Sequence, residues 1–136
     1  MKMVVPVLCC ATIVLSACAS APQPLPSYTP DKAAGERYRE ANVAWMNCAI
    51  AAAHNYASQA SEASQVADAA LGHCLAESDA SRKASEDFAL AGAQNASFDL
   101  QQNLLRDARD AHQHNWERLR VILIDQVMNS RARLSR

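Results

Sequence analysis

Between Asp31 and Arg136 the chain contains no proline and is rich in alanine; all five prolines lie before that stretch. Nothing in it interrupts a helical backbone, and alanine has the highest helix propensity, so these roughly 106 residues are expected to form one all-α domain. Apolar periodicity divides the domain into three helices, at about 32–59, 62–92 and 97–130. The first carries Tyr38, Ala41, Trp45, Cys48, Ala52 and Asn55 at three- and four-residue steps, with Val43, Met46, Ile50, Ala53 and Ala57 beside them. So broad an apolar face suits contact with two neighbouring helices. The second turns Ala67, Ala70, Leu71 and Cys74 inward and continues to Phe88 and Ala91; its polar middle, from Glu77 to Asp87, is where a break is expected. Gly92 and Asn95 supply stop and start signals. The third runs through Phe98, Leu105, Ala108, His112, Trp116, Leu119, Ile122 and Leu123. Comparable lengths and short turns predict an antiparallel three-helix, up-down-up bundle.

Ahead of this domain, Lys2 flanks an apolar run from Val4 to Leu15 that closes in Leu15-Ser16-Ala17-Cys18. A membrane-spanning helix needs about 20 apolar residues. This run is shorter and contains Pro6, which argues against an uncleaved anchor. A basic flank, a short apolar core and a small-residue exit are the parts of a secretory signal. The four residues ending at Cys18 resemble the lipobox of bacterial lipoproteins. The resemblance implies cleavage of residues 1–17, a diacylglycerol on the Cys18 sulfur and an N-acyl chain, such as palmitate, on the new amine. Each buried CH₂ contributes about 0.8 kcal/mol, so two or more chains make a stable membrane anchor. Ala19, not aspartate, follows the cysteine; by the sorting habit of enteric Gram-negative bacteria this implies the inner leaflet of the outer membrane, facing the periplasm. Residues 18–30 hold four of the prolines. The twelve residues after Cys18 read as an extended tether of at most about 37 Å, with recognition of the proline-rich stretch by a partner as the alternative.

Cysteine usage follows from that leader. Cys9 and Cys10 leave with it and Cys18 carries lipid, so Cys48 and Cys74 remain, and in an oxidising compartment such a pair reads as a disulfide. With a turn at Ser58–Ser61, each lies about 13 residues, or roughly 20 Å of helix, from the bend. Antiparallel helices bring the two sulfurs to one level; two separately buried thiols are the alternative. Closing such a loop is worth roughly 3.5 kcal/mol in the chain-entropy model. The same layer counting puts Trp116 near the bridge, with Trp45 one turn from Cys48. A core made largely of alanine buries little area, and a disulfide offsets that deficit.

After cleavage, 12 basic side chains face 14 acidic ones, a net charge of −2. That balance does not suit a nucleic-acid partner. The exception is the C-terminal end, where Arg118, Arg120, Arg131, Arg133 and Arg136 oppose only Asp125; the helix dipole accounts for them, and an anionic envelope partner is the alternative. Val121-Ile122-Leu123-Ile124 cannot all face one core at about 100° per residue. With Leu119 as the inward reference, Ile122 and Leu123 stay inside, and Val121, Ile124 and Met128 form an outward patch. Either flanking helices cover it, or it is a contact surface for a second copy or an envelope protein.

Signs of catalysis are thin. His54, His73, His112 and His114 include no i,i+4 pair, and His73 with Glu77 is too small a ligand set for a metal. His112, on the apolar stripe, reads as a hydrogen-bonded core residue. The cysteines lack the spacing of redox catalysts, Gly35, Gly72 and Gly92 make no phosphate loop, and no nucleophile turn is present. The chain is expected to be no enzyme, with no metal, no cofactor beyond the lipid on Cys18 and no small-molecule substrate. Trp45-Met46-Asn47-Cys48 and Ala69-Ala70-Leu71-Gly72-His73-Cys74 resemble the bridged hairpin of small helical envelope proteins of proteobacteria, which implies a bridge and no activity. The tethered helical body is also similar to the major lipoprotein of enteric outer membranes. It departs from that protein in having an internal cysteine pair and in ending on Arg136 with no lysine beyond Lys83, so a covalent link to peptidoglycan is not expected. The reading is a lipid-anchored structural or protein-interaction module of the cell envelope. The alternatives are an exclusion, immunity or inhibitor-type lipoprotein that binds a specific protein, and a small-ligand or metal carrier using the bundle core near His112.

Overall fold

The computed structural model describes residues 31–59 and 61–135, and within them every regular element is a helix. The signal, the Cys18 anchor and the tether expected over residues 1–30 lie outside the described residues. There are four helices: α1 (Lys32–Tyr56), α2 (Ala63–His73), α3 (Leu75–Ala91) and α4 (Phe98–Leu134). The expected count of three is corrected by a one-residue interruption at Cys74. The polar stretch 77–87, where a break was expected, is continuous helix.

Local chemistry explains the ends. The Asp31 carboxylate accepts from the Ala34 N–H at 3.0 Å and caps α1. Gln65 Oε1 accepts from the Glu62 N–H at 3.3 Å at the start of α2. Ser97, not Asn95, caps α4, its hydroxyl accepting from the Leu100 N–H at 3.4 Å. At the interruption the Cys74 N–H donates to the Leu71 carbonyl, a tightened three-residue step, and the Ser78 N–H donates to the Cys74 carbonyl at 3.0 Å. The helical ladder therefore resumes at once. The bend falls where Cys74 is tied to α1, two residues after Gly72, the weakest helix former nearby.

Cross-helix contacts run in steps along the chain. Phe88 lies against Gly35, where an added Cβ would sit 3.3 Å from the ring. Ser81 meets Asn42, and Cys48 is bonded to Cys74 with 6.0 Å between Cα atoms. On the other side of α2 and α3, Arg109 pairs with Glu86, His112 with Ser78, and Arg120 with Asp68. The main core gathers Trp45, Ala49, Ala53, Val66, Leu71, Cys74, Leu119, Leu123 and Val127, with Cys48 and Trp116 packed against it. Trp45 and Trp116 lie 5.8 Å apart, so the tryptophans and the bridge join one cluster, as layer counting expects. No helix among the described residues is long and apolar enough to cross a membrane.

Candidate functional site

Three helices bring polar side chains together around Trp45. α1 contributes Asn42, Trp45 and Met46; α3 contributes Ser78 and Ser81; α4 contributes His112, Asn115, Trp116, Arg118 and Ile122. The Trp45 ring lies 4.9 Å from the His112 ring and is 1% exposed. Ser78 Oγ and His112 Nε2 are 3.1 Å apart, and the Ser81 hydroxyl donates to Asn42 Oδ1 at 3.4 Å. Burial holds the His112 pKa below its usual value, with the nearby Arg82 charge adding to the effect against Asp79 and Glu86. A neutral imidazole can take either role in the bond to Ser78.

A serine beside a histidine invites comparison with a nucleophile and its base. Ser78 is 4% exposed and lies in the first turn of α3. The His112 ring has no carboxylate partner among the described residues, so the orienting third group of a triad is missing. The pair is a part-buried polar contact between α3 and α4.

Beside it opens a cleft between α1 and α4 of about 200 Å³. Trp45 and Leu119 line it, with Met46 and Ile122 as apolar walls and Asn42, Asn115 and Arg118 as polar groups. The Trp45 Nε1–H is buried with no acceptor. A buried donor left unpaired costs about 1–3 kcal/mol, and buried tryptophans usually find a partner. Arg118 makes no ion pair among the described residues.

The other sequence candidates separate. Val121 is 65% and Met128 59% exposed, as the outward patch requires. Ile124 is a correction: it is half-buried and packs on the core. Ile122, placed inward by the register, is 45% exposed instead. The buried sector of α4 runs through Leu119, Leu123 and Val127 and centres about 40° from Leu119; Ile122 and Ile124 then lie about 100° to either side of it, and the Ile124 flank is the one packed on the core. Phe98 is also exposed, not inward.

Glu77 completes a cluster with Cys48 and Cys74, the potential ligand atoms lying within 4.8 Å of one another. Bonded to each other, the sulfurs carry no thiolate charge, so this group offers a metal one carboxylate. His73 packs edge-on to Tyr56 at 6.1 Å.

Two of the C-terminal arginines have partners that the dipole argument missed. Arg120 pairs with Asp68, whose pKa is lowered by that hydrogen bond against a smaller rise from burial. Arg131 donates to the carbonyls of Ala57 and Gln59 at 2.9 Å and of Ser61 at 2.8 Å, closing the α1–α2 turn. Gln101 acts alike at the α3–α4 turn, donating to the carbonyls of Ala93 and Ala96. Sequence reasoning also missed the buried serines Ser78, Ser81 and Ser85. Their three- and four-residue spacing on one helix face was the available signal. Comparison with known proteins brings in no relative: no protein family, curated protein or solved structure matches the chain, so its own chemistry carries the reading.

Proposed function

We propose that this chain is a lipid-anchored, non-catalytic structural or protein-interaction module of the cell envelope, held by Cys18 to the inner leaflet of the outer membrane and facing the periplasm. The observation that carries the reading is the Cys48–Cys74 disulfide. These are the two cysteines left once a lipobox is processed, and a structural disulfide belongs in an oxidising compartment. In this reading the body is a three-rod, up-down-up bundle in which α2 and α3 together form the middle rod. The paired contacts Gly35–Phe88, Asn42–Ser81 and Cys48–Cys74, and then Glu86–Arg109 and Asp68–Arg120, support that course. Val121 and Met128, outward on α4, are the surface offered to a second copy or an envelope protein.

Intact-mass analysis of the membrane fraction, with and without reductant, tests this reading. The expected species begins at Cys18, carries acyl chains and exposes two alkylatable thiols only after reduction. A cytosolic species starting at Met1, with Cys48 and Cys74 alkylated without reductant, would overturn it.

A further inference from the structure

We infer that the outward face of α4 is a homodimer interface, on which a second copy of this chain lies antiparallel. The inference deepens the reading of Val121 and Met128 as a contact surface by naming its occupant, and it does not depend on the lipid anchor.

α4 runs for 37 residues, and Leu119, Leu123 and Val127 form the buried row of its second half. On the other side, Arg118, Val121, Asp125 and Met128 follow one another at steps of three, four and three, and all four are exposed. At about 100° per residue they stand within roughly 40° of the direction opposite Leu123. His114 and Ala111 extend the row towards the start of the helix and Ala132 towards its end, and these too are exposed. The row therefore keeps a seven-residue repeat from Ala111 to Ala132. Such a spacing drifts by only about 20° per heptad, as a partner helix lying alongside requires.

The order of side chains along the row selects both the partner and its direction. Neither Arg118 nor Asp125 makes an ion pair among the described residues, and the Asp125 carboxylate accepts there from Asn129 of its own helix at 3.0 Å. The two charges flank Val121, one turn to either side. A two-fold axis near Val121 then sets that side chain against its own copy and Arg118 against Asp125 of the second copy, twice over. The same register brings His114 level with Met128 and Ala111 level with Ala132, so small side chains oppose each other at the outer ends. A parallel copy would instead oppose Arg118 to Arg118 and Asp125 to Asp125, and juxtaposed like charges are disfavoured. Ile122, 45% exposed, lies beside Val121 and widens the apolar centre. A two-fold contact uses one patch on both copies, and this row is complementary to its own reversal.

Sedimentation equilibrium of the chain as purified from cells, disulfide intact and in a density-matched neutral detergent, reads the assembly. The expected result is a concentration-dependent monomer–dimer equilibrium. Arg118→Asp alone and Asp125→Arg alone each bring like charges together twice and should weaken dimerisation at least about tenfold. The two substitutions combined restore the pairing with its signs exchanged and should recover the original affinity. Both positions are exposed, so the variants keep their fold, which an unchanged circular dichroism spectrum verifies. A chain that stays monomeric at every concentration, single variants that dimerise as before, or a double variant as weak as the single ones would each overturn the inference. None of these outcomes alters the mass of the processed chain, so failure here is distinct from failure of the envelope reading.

Discussion

The part of the body built on α2 and the part built on α3 are closed by different chemistry. Against α2, Val66, Ala67, Ala70 and Leu71 are buried in the cluster with Leu119, Leu123 and Val127. Against α3, the buried positions are Ser78, Ser81 and Ser85, and the contacts are hydrogen bonds to His112 and Asn42 and the stacking of Phe88 on Tyr38 at 6.3 Å. Fully burying a leucine or valine contributes about 1.5–3 kcal/mol, whereas an internal hydrogen bond contributes a net of about 0.5–1.5 kcal/mol. Similar helices thus make one part stable by dry packing and leave the other dependent on polar pairing. The disulfide sits at their junction, where α2 ends and α3 begins.

The largest test of this contrast is to cut that junction. Replacing both Cys48 and Cys74 by alanine removes a loop constraint worth roughly 3.5 kcal/mol. Hydrogen exchange should then show the α3 amides losing protection before those of α2. Equal loss along both would break the comparison. Next, Leu123→Ala, at a fully buried position, should lower unfolding free energy by about 3 kcal/mol, while Ser81→Ala should change it by less than about 1 kcal/mol. Denaturant titration measures both, and similar values would erase the distinction. Arg131→Ala leaves three carbonyls of the α1–α2 turn without their donor and should cost about 1–2 kcal/mol, with exchange accelerated first at Ala57–Ser61.

The smallest effect is a pH dependence centred on His112, which meets Ser78 of α3. His112 is held neutral, so the unfolded chain takes up a proton near its ordinary value of about 6.5 while the native chain resists. Stability from this group is complete above about pH 6.5, falls on acidification through that value, and stops falling once the native pKa is passed. Glu86 behaves as a carboxylate: burial raises its pKa, but the hydrogen bonds from Arg109 and Arg82 outweigh that and lower it. Asp68 is lowered by Arg120. Both contributions persist down to about pH 4 and are lost below it. Thermal melts between about pH 7 and 5 should therefore fall slightly, and His112→Asn should flatten that step. An unchanged slope in the variant would assign the step elsewhere.

Much of the helical content was legible locally. A proline-free, alanine-rich segment leaves helix as the most accessible backbone state, although the start signal read at Asn95 belongs to Ser97, two residues on. Cys48 and Cys74 were legible because two equal spans of helix on either side of Ser58–Ser61 bring them level. The α3 part was harder to read. A run such as Glu77-Ser78-Asp79-Ala80-Ser81 looks exposed when polarity alone is counted, yet its serines are small enough to let helices approach and can bond across the contact. Ile122 and Ile124 stand about 100° to either side of Leu123, so periodicity alone does not choose between them; the packing of neighbouring helices covers Ile124 and leaves Ile122 exposed.

The sequence by itself determined that the chain from about 32 to 130 is largely helical and that one cysteine pair ties its helices, since propensity and spacing act along the chain. Only the tertiary structure decided the rotation of each rod about its axis. That rotation buries Ser81, commits Arg131 to a distant turn and leaves the buried Trp45 N–H without an acceptor among the described residues. The physical reason is that a helix of period 3.6 presents every azimuth equally well, and the side chains of its neighbours select among them.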